Sequence, residues 1–281
     1  MIAPSAQPQN ALAPETIDFY RRVMTALDGA RVPFLVGGAY AFARYTGIVR
    51  HTKDFDIFVH PRDFDRTMDE LRKMGCDTKR PFPHWLGKGY CGEEFVDVIF
   101  SSGNAIARVD DLWFEHAVDE EVLGLPARLC PAEEMIWSKA FIMERERFDG
   151  ADVAHILRAR ADELDWNRLL FRFGDNWPVL MSHLVLFGFI YPDAADRIPA
   201  TVYRDLSGRF RSTRDGSDTG ERLCRGTLLS RSQYLVDVEH WGYRDARLEP
   251  VGPMTDEELE IWTSAAEEET GPAYTDVEDV G

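Results

Sequence analysis

Asp54, Asp56 and Asp97 are the residues of this sequence best suited to chemistry. Asp54-Phe55-Asp56-Ile57-Phe58-Val59 alternates polar and apolar residues in the manner of a strand. Residues two apart on a strand share a side and lie roughly 6.6 Å apart. Both carboxylates then face one site, while Phe55 and Ile57 turn to the core. Two carboxylates at that separation can bracket one or two divalent cations, and oxygen donors suit magnesium or manganese better than zinc. A pair of such ions activates an attacking oxygen and stabilises a leaving pyrophosphate. Two solvated aspartates on an exposed strand face are the plain alternative. Asp97 sits within Phe95-Val96-Asp97-Val98-Ile99-Phe100. A carboxylate in so apolar a strand carries a large desolvation cost unless a cation or hydrogen bonds compensate, or unless the strand is an edge.

These carboxylates need elements to hold them. The spacing predicts a helix over Pro14–Ala30, with Ile17, Tyr20, Val23, Met24 and Leu27 on one face. Phe34-Leu35-Val36 reads as a strand that breaks at Gly37-Gly38, and Ala39–Tyr45 as a helix starting at that turn. A backbone without Cβ atoms lets a phosphate group come close, and a helix start adds unpaired N–H donors; most such glycine pairs are nevertheless simple turns. A helix over Arg62–Met74 opens after Pro61 and closes at Gly75. Val118–Leu129 reads as a hairpin. From Pro131 the character changes to helix: Ala132–Arg147, Gly150–Ala161, Trp166–Phe173 and Pro178–Phe189. Arg204–Arg222 reads as a loop, Leu223–Trp241 as a further helix, and the acidic end as loosely ordered. The expected fold is α/β, with a short mixed sheet of about five strands flanked by helices and a mostly helical C-terminal region. The expected organisation is a tail over 1–15, a catalytic domain over 16–130, a helical domain over 131–250 and an acidic tail over 251–281.

The order strand, Gly-Gly, helix, Asp-x-Asp strand and later Asp strand resembles the nucleotidyltransferase superfamily that includes polymerase beta. Arg50-His51-Thr52-Lys53-Asp54-Phe55-Asp56 is similar to the R-x-T-x-D-h-D form of stand-alone bacterial members. Some of those are toxin components of abortive-infection and toxin–antitoxin systems, and others modify antibiotics. The resemblance implies a Mg²⁺ (or Mn²⁺) site at Asp54, Asp56 and Asp97. It implies a nucleoside triphosphate held at Gly37, Gly38, Arg50 and Thr52, and transfer of NMP to an acceptor hydroxyl. It also implies that Lys139, on the helix starting at Ala132, points across a cleft at the phosphates; an exposed lysine on a helical face is the other reading. Asp149 and Asp152, with Arg145 near by, are expected to form ion pairs that fix a helix hairpin. His51 and His155 carry no required role.

Net charge is −17, and ten acidic residues with no basic one lie between Asp256 and Asp279. That balance argues against broad attraction to nucleic acid or anionic membranes, leaving a nucleic-acid acceptor disfavoured and open. No apolar run is long enough to span a bilayer and no signal peptide opens the chain, so a cytoplasmic location is expected. Cys76, Cys91, Cys130 and Cys224 are scattered, with no zinc-ligand spacing. No Walker A, G-x-G-x-x-G or Ser/His/Asp frame is present. The acceptor remains open among a small molecule, an RNA end and a protein side chain. The rival expectation is a toxin–antitoxin or regulatory protein that binds a protein partner and keeps this fold without catalysis.

Overall fold

The computed structural model describes residues 12–50, 52, 54–215 and 222–270. They fall into two compact units, one within 1–103 and 107–135 and the other within 104–106 and 136–281.

The first unit is built on a seven-stranded mixed sheet, larger than the five strands expected from sequence. In chain order it holds α1 (Pro14–Gly29), β1 (Leu35–Val36), α2 (Gly38–Thr46), β2 (Asp56–Phe58) and α3 (Phe64–Lys73). Then come β3 (Asp77–Phe82), β4 (Leu86–Cys91), β5 (Glu94–Ile99), α4 (Asp111–Glu115), β6 (Val118–Val122) and β7 (Leu125–Leu129). The order across the sheet is β3-β4-β5-β2-β1-β7-β6. Strands β3, β4 and β5 form an antiparallel meander, and β5 pairs parallel with β2.

One face of this sheet is covered by the two helices whose apolar spacing is plainest. In α3, Phe64, Thr67, Met68 and Leu71 are buried, the i, i+3, i+4, i+7 stripe of a helix lying on a sheet. They lie over Gly87 and Gly89 of β4, where a Cβ would meet Phe64 Cζ at 2.6 Å and Leu71 Cδ1 at 2.8 Å. In α1, Tyr20 stacks on Phe55 with ring centroids 4.5 Å apart. Phe55 and Ile57, the apolar half of the Asp54–Val59 alternation, are fully buried.

The second unit continues from α5 (Ala132–Ala140), within which the division between units falls, through α6 (Gly150–Arg160), α7 (Trp166–Phe173), α8 (Trp177–Ile190) and α9 (Ala200–Asp215). It ends in β8 (Leu223–Cys224), α10 (Leu235–Glu239), β9 (Arg244–Asp245) and α11 (Asp256–Thr270). Helix α8 is the helix expected over Pro178–Phe189. No helix among the described residues is long and apolar enough to cross a membrane.

Four sequence expectations are corrected here. Helix α5 stops at Ala140 rather than Arg147 because the chain folds back, with Met143 opposite Phe148 in an antiparallel bridge. The expected loop at Arg204–Arg222 is helical as far as Asp215. Its polar composition hides an apolar anchor at Val202 and Leu206, one turn apart, and Ser212 and Thr213 satisfy themselves on carbonyls four residues back. The expected helix at Leu223–Trp241 is broken: Leu223–Cys224 pair in parallel with Arg244–Asp245, and Gly226 needs its bare Cα beneath the Tyr234 ring. The acidic end is ordered as a helix through Thr270. Thr255 and Glu258 form a reciprocal capping box, with Glu258 N–H donating to Thr255 Oγ1 (3.3 Å) and Thr255 N–H to Glu258 Oε2 (3.0 Å). Asp256, Glu257 and Glu258 also lie in its first turn, where the helix dipole favours acid. The remaining acidic residues, beyond 270, lie outside the described residues.

The cysteines are free thiols. Cys76 precedes β3 directly opposite Cys91 at the end of β4, and burial together with a hydrogen bond shared with that neighbour pushes its thiol up to about 12. Such a thiol is a core residue rather than a nucleophile.

Candidate active site

The carboxylates lie on the sheet face turned away from α1 and α3. Asp56 on β2 and Asp97 on β5 are register partners on adjacent parallel strands, so their side chains stand side by side. On the far side of Asp56, the Gly37 N–H at the end of β1 donates to the Asp56 carbonyl (3.0 Å). Gly38 then opens α2 with φ +52, a conformation that L side chains avoid. A Cβ at Gly38 would overlap the Asp56 carboxylate, with Cγ only 2.8 Å away. The glycine pair therefore does two things: it turns the chain into the helix, and it leaves room for the carboxylate against the backbone.

A fourth residue, overlooked in the sequence, completes the row. Lys88 on β4 is the register partner of Asp97 on its other side, and its Nζ lies 2.7 Å from Asp97 Oδ1. The signal was present in Leu86-Gly87-Lys88-Gly89-Tyr90. Two glycines flanking a lysine in a strand mark a face pressed against a helix, which turns the lysine to the opposite face. Lys88, Asp97, Asp56 and Gly37 thus lie in line across β4, β5, β2 and β1.

Electrostatics follow from that placement. Burial pushes the Asp97 carboxyl above its ordinary value and the Asp54 charge adds to this, while the hydrogen bond and charge of Lys88 pull the other way. Burial also raises the Tyr20 phenol, helped by its neighbours Tyr40 and Glu94 and by the charges of Asp54 and Asp56. Negative charge is therefore concentrated where the row crosses β2 and β5.

The family follows from comparison with known proteins. The matching family is described as an uncharacterised nucleotidyltransferase, and the match spans residues 16–175, more than half of the chain. The chain belongs to this nucleotidyltransferase family. Similar solved structures include the antibiotic-resistance factor ANT(2'')-Ia in solution, 14% identical over 73% of this chain and 95% of that one, with a TM-score of 0.39. The lincosamide antibiotic adenylyltransferase LnuA, lincomycin-bound, is 12% identical over 53% of this chain and 99% of its own, with a TM-score of 0.38. An antigenic nucleotidyltransferase-like protein from Paracoccidioides brasiliensis is 14% identical over 69% and 99%, with a TM-score of 0.45. Comparison with curated proteins gives no match. At these identities and scores the solved structures carry no argument about substrate or acceptor.

For a member of this family a divalent cation is implied, and the residues fit one. The donors are carboxylate oxygens, and the bare Gly38 backbone lets the Asp56 carboxylate lie against it, beside Asp97 on the next strand. Among the described residues no three His, Cys, Asp or Glu side chains form a ready-made metal cluster. Asp97 is instead drawn onto Lys88.

The connection into β2 contributes less directly. The Asp54 N–H donates to Thr52 Oγ1 (3.0 Å), so Thr52 shapes the turn that presents Asp54 just before the strand. Arg50 is exposed, with its guanidinium 4.3 Å from the centre of the Phe42 ring. His51 and Lys53 lie outside the described residues. Tyr40 and Trp85, aromatic residues near the site in sequence, pack within the fold: Tyr40 is buried edge-on against Phe55, and Trp85 stacks on Phe82.

In the second unit Lys139 is held between two carboxylates, 2.9 Å from Asp149 Oδ2 and 2.8 Å from Asp152 Oδ2. Arg147, rather than Arg145, completes this group, with Nε 3.0 Å from Asp149 Oδ1. Arg145 pairs with Glu146. Burial opposes ionisation of Asp149, but Arg147 and Lys139 outweigh it and hold the carboxyl below the usual range. The sign of the pH dependence follows. A depressed folded value gives stability that is present above the unfolded value, about 3.9, and lost as pH falls through the folded one. Asp149→Asn is expected to cost about 2 kcal/mol at pH 7, because Lys139 loses this charged hydrogen-bond partner while keeping Asp152. In urea unfolding the gap between wild type and variant should narrow as pH drops below about 4. A gap of constant size down to acid pH would show that packing, not charge, is the source.

Proposed function

We propose that the protein transfers an NMP unit from a nucleoside triphosphate to an acceptor hydroxyl. The acceptor oxygen attacks the α-phosphorus, the bond from that phosphorus to the bridging oxygen breaks, and pyrophosphate leaves. Family membership supports the reaction class. The observation that carries the site is the side-by-side placement of Asp56 and Asp97 against the bare Gly37-Gly38 turn.

Each residue has a distinct part in this reading. The Gly37-Gly38 turn and the start of α2 give the triphosphate a close approach to backbone N–H donors. Asp54, Asp56 and Asp97 would hold magnesium or manganese, which supplies charge neutralisation for the phosphates and acidifies a bound hydroxyl. Asp97, side by side with Asp56 on the adjacent strand, is the proton acceptor. Thr52 keeps Asp54 in place, and Arg50 contributes positive charge beside the phosphates. Lys139 is paired with Asp149 and Asp152 within the second unit, and the reading stands on the first unit without it. Most of the acceleration comes from positioning and charge neutralisation. The acceptor is a hydroxyl on a small molecule, an RNA end or a protein.

A thermal-shift series with the four ribonucleoside triphosphates tests the reading directly. At about 100 times its dissociation constant the donor should stabilise the folded state by roughly 2.7 kcal/mol in the presence of Mg²⁺. The shift should disappear without Mg²⁺. No shift with any of the four, from folded protein, would favour a protein-binding role on the same fold.

A further inference from the structure

Lys88 is not a residue that the reaction above requires, yet its placement is specific. Its strand neighbours Gly87 and Gly89 are closed under Phe64, Met68 and Leu71, so β4 cannot turn over without expelling α3 from the sheet. The ammonium is thereby directed at Asp97, with which it shares a register position and a 2.7 Å contact. The side chain also lies over the Phe95 ring, Nζ 4.7 Å from its centre. Lys88 and Asp97 are only 23% and 14% exposed, so water screens the pair poorly and neither side chain leaves the other cheaply.

That contact limits what else the row can hold. A second ion on Asp97 would have to displace a partly buried ammonium from the same oxygen and then sit beside it.

We propose that Lys88 is the second cation of this site, built into β4, and that the carboxylate row takes one divalent ion rather than two. The inference rests on the nucleotidyl-transfer reading above. Its consequence is a division of labour: Asp54 and Asp56 face the ion, while Lys88 holds the Asp97 carboxylate in place. Lys88 is a positioning residue in this scheme, acting through Asp97.

Counting Mn²⁺ ions bound to the full chain tests this without any turnover, by titration followed with the electron-paramagnetic signal of free Mn²⁺. Wild type should bind one Mn²⁺ per chain, Lys88→Met two, and Lys88→Arg one, with circular dichroism confirming that each variant is folded. Lys88→Arg keeps the charge, so it also serves as the reference if Lys88→Met is poorly folded; two ions in Lys88→Arg would overturn the proposal. Two ions in wild type, or one in a folded Lys88→Met, would also overturn it while leaving nucleotidyl transfer intact. No Mn²⁺ in any of the three would sink the cation site itself, and with it both readings.

Discussion

Asp56→Asn is expected to lower nucleotidyl transfer by about 10³-fold or more while the fold survives. The substitution is nearly isosteric, so the neighbours see the same volume. The backbone contact that ties β1 to β2, from the Gly37 N–H to the Asp56 carbonyl, does not involve the side chain and persists. What disappears is one negative charge, at the point where Asp97 stands alongside and Gly38 presses from the other side. A single cooperative melting transition should show that the variant is folded. The reaction is measured as α-labelled nucleotide passing into acceptors from a cell extract, beside a thermal scan with the donor nucleotide. A variant that transfers as well as wild type would remove Asp56 from the chemistry.

Gly38→Ala is the second large effect, and it separates geometry from charge. The added Cβ would overlap the Asp56 carboxylate, and φ +52 is strained for alanine whatever the space. The strain should cost about 1–2 kcal/mol of stability. The overlap forces the Asp56 carboxylate to rotate away, and a misplacement on the order of 1 Å at a reacting group costs about 10²-fold in rate. Gly47→Ala is the control. It has a similar backbone strain, φ +73, but nothing within 4 Å of the new methyl group. It should lose stability and keep its rate. Equal rate losses in both variants would mean that Gly38 matters only as a turn. Gly37→Ala strikes elsewhere: its methyl would overlap the Phe58 ring and lie 3.2 Å from Cys130 Sγ, a packing fault.

Much of this arrangement is legible in sequence because its causes are local. The alternation from Asp54 to Val59 places Phe55 and Ile57 inside and the two aspartates outside, since a strand's period of two is enforced by its own backbone. Helices α1 and α3 follow from apolar residues recurring at helical spacing. Where the reading failed, composition had concealed local structure. Polar α9 is anchored by only two aliphatic residues one turn apart, and acidic α11 begins with a capping box whose two members are themselves polar.

By itself, then, the sequence determined the residue types of the candidate site, their order along the chain and the side of the β2 and β5 strands they occupy. Which strands are neighbours is a different kind of fact. Asp56 and Asp97 are 41 positions apart, and nothing local to either says that they share a register. Lys88 becomes part of the site only because β4 lies on the other side of β5, with α3 closing its glycine face. Lys139 is committed to Asp149 and Asp152 only because the chain folds back after α5. Strand register and ion-pair choice are set by long-range burial, in which the whole apolar face of a sheet is satisfied at once, and so they were decided by the tertiary structure alone.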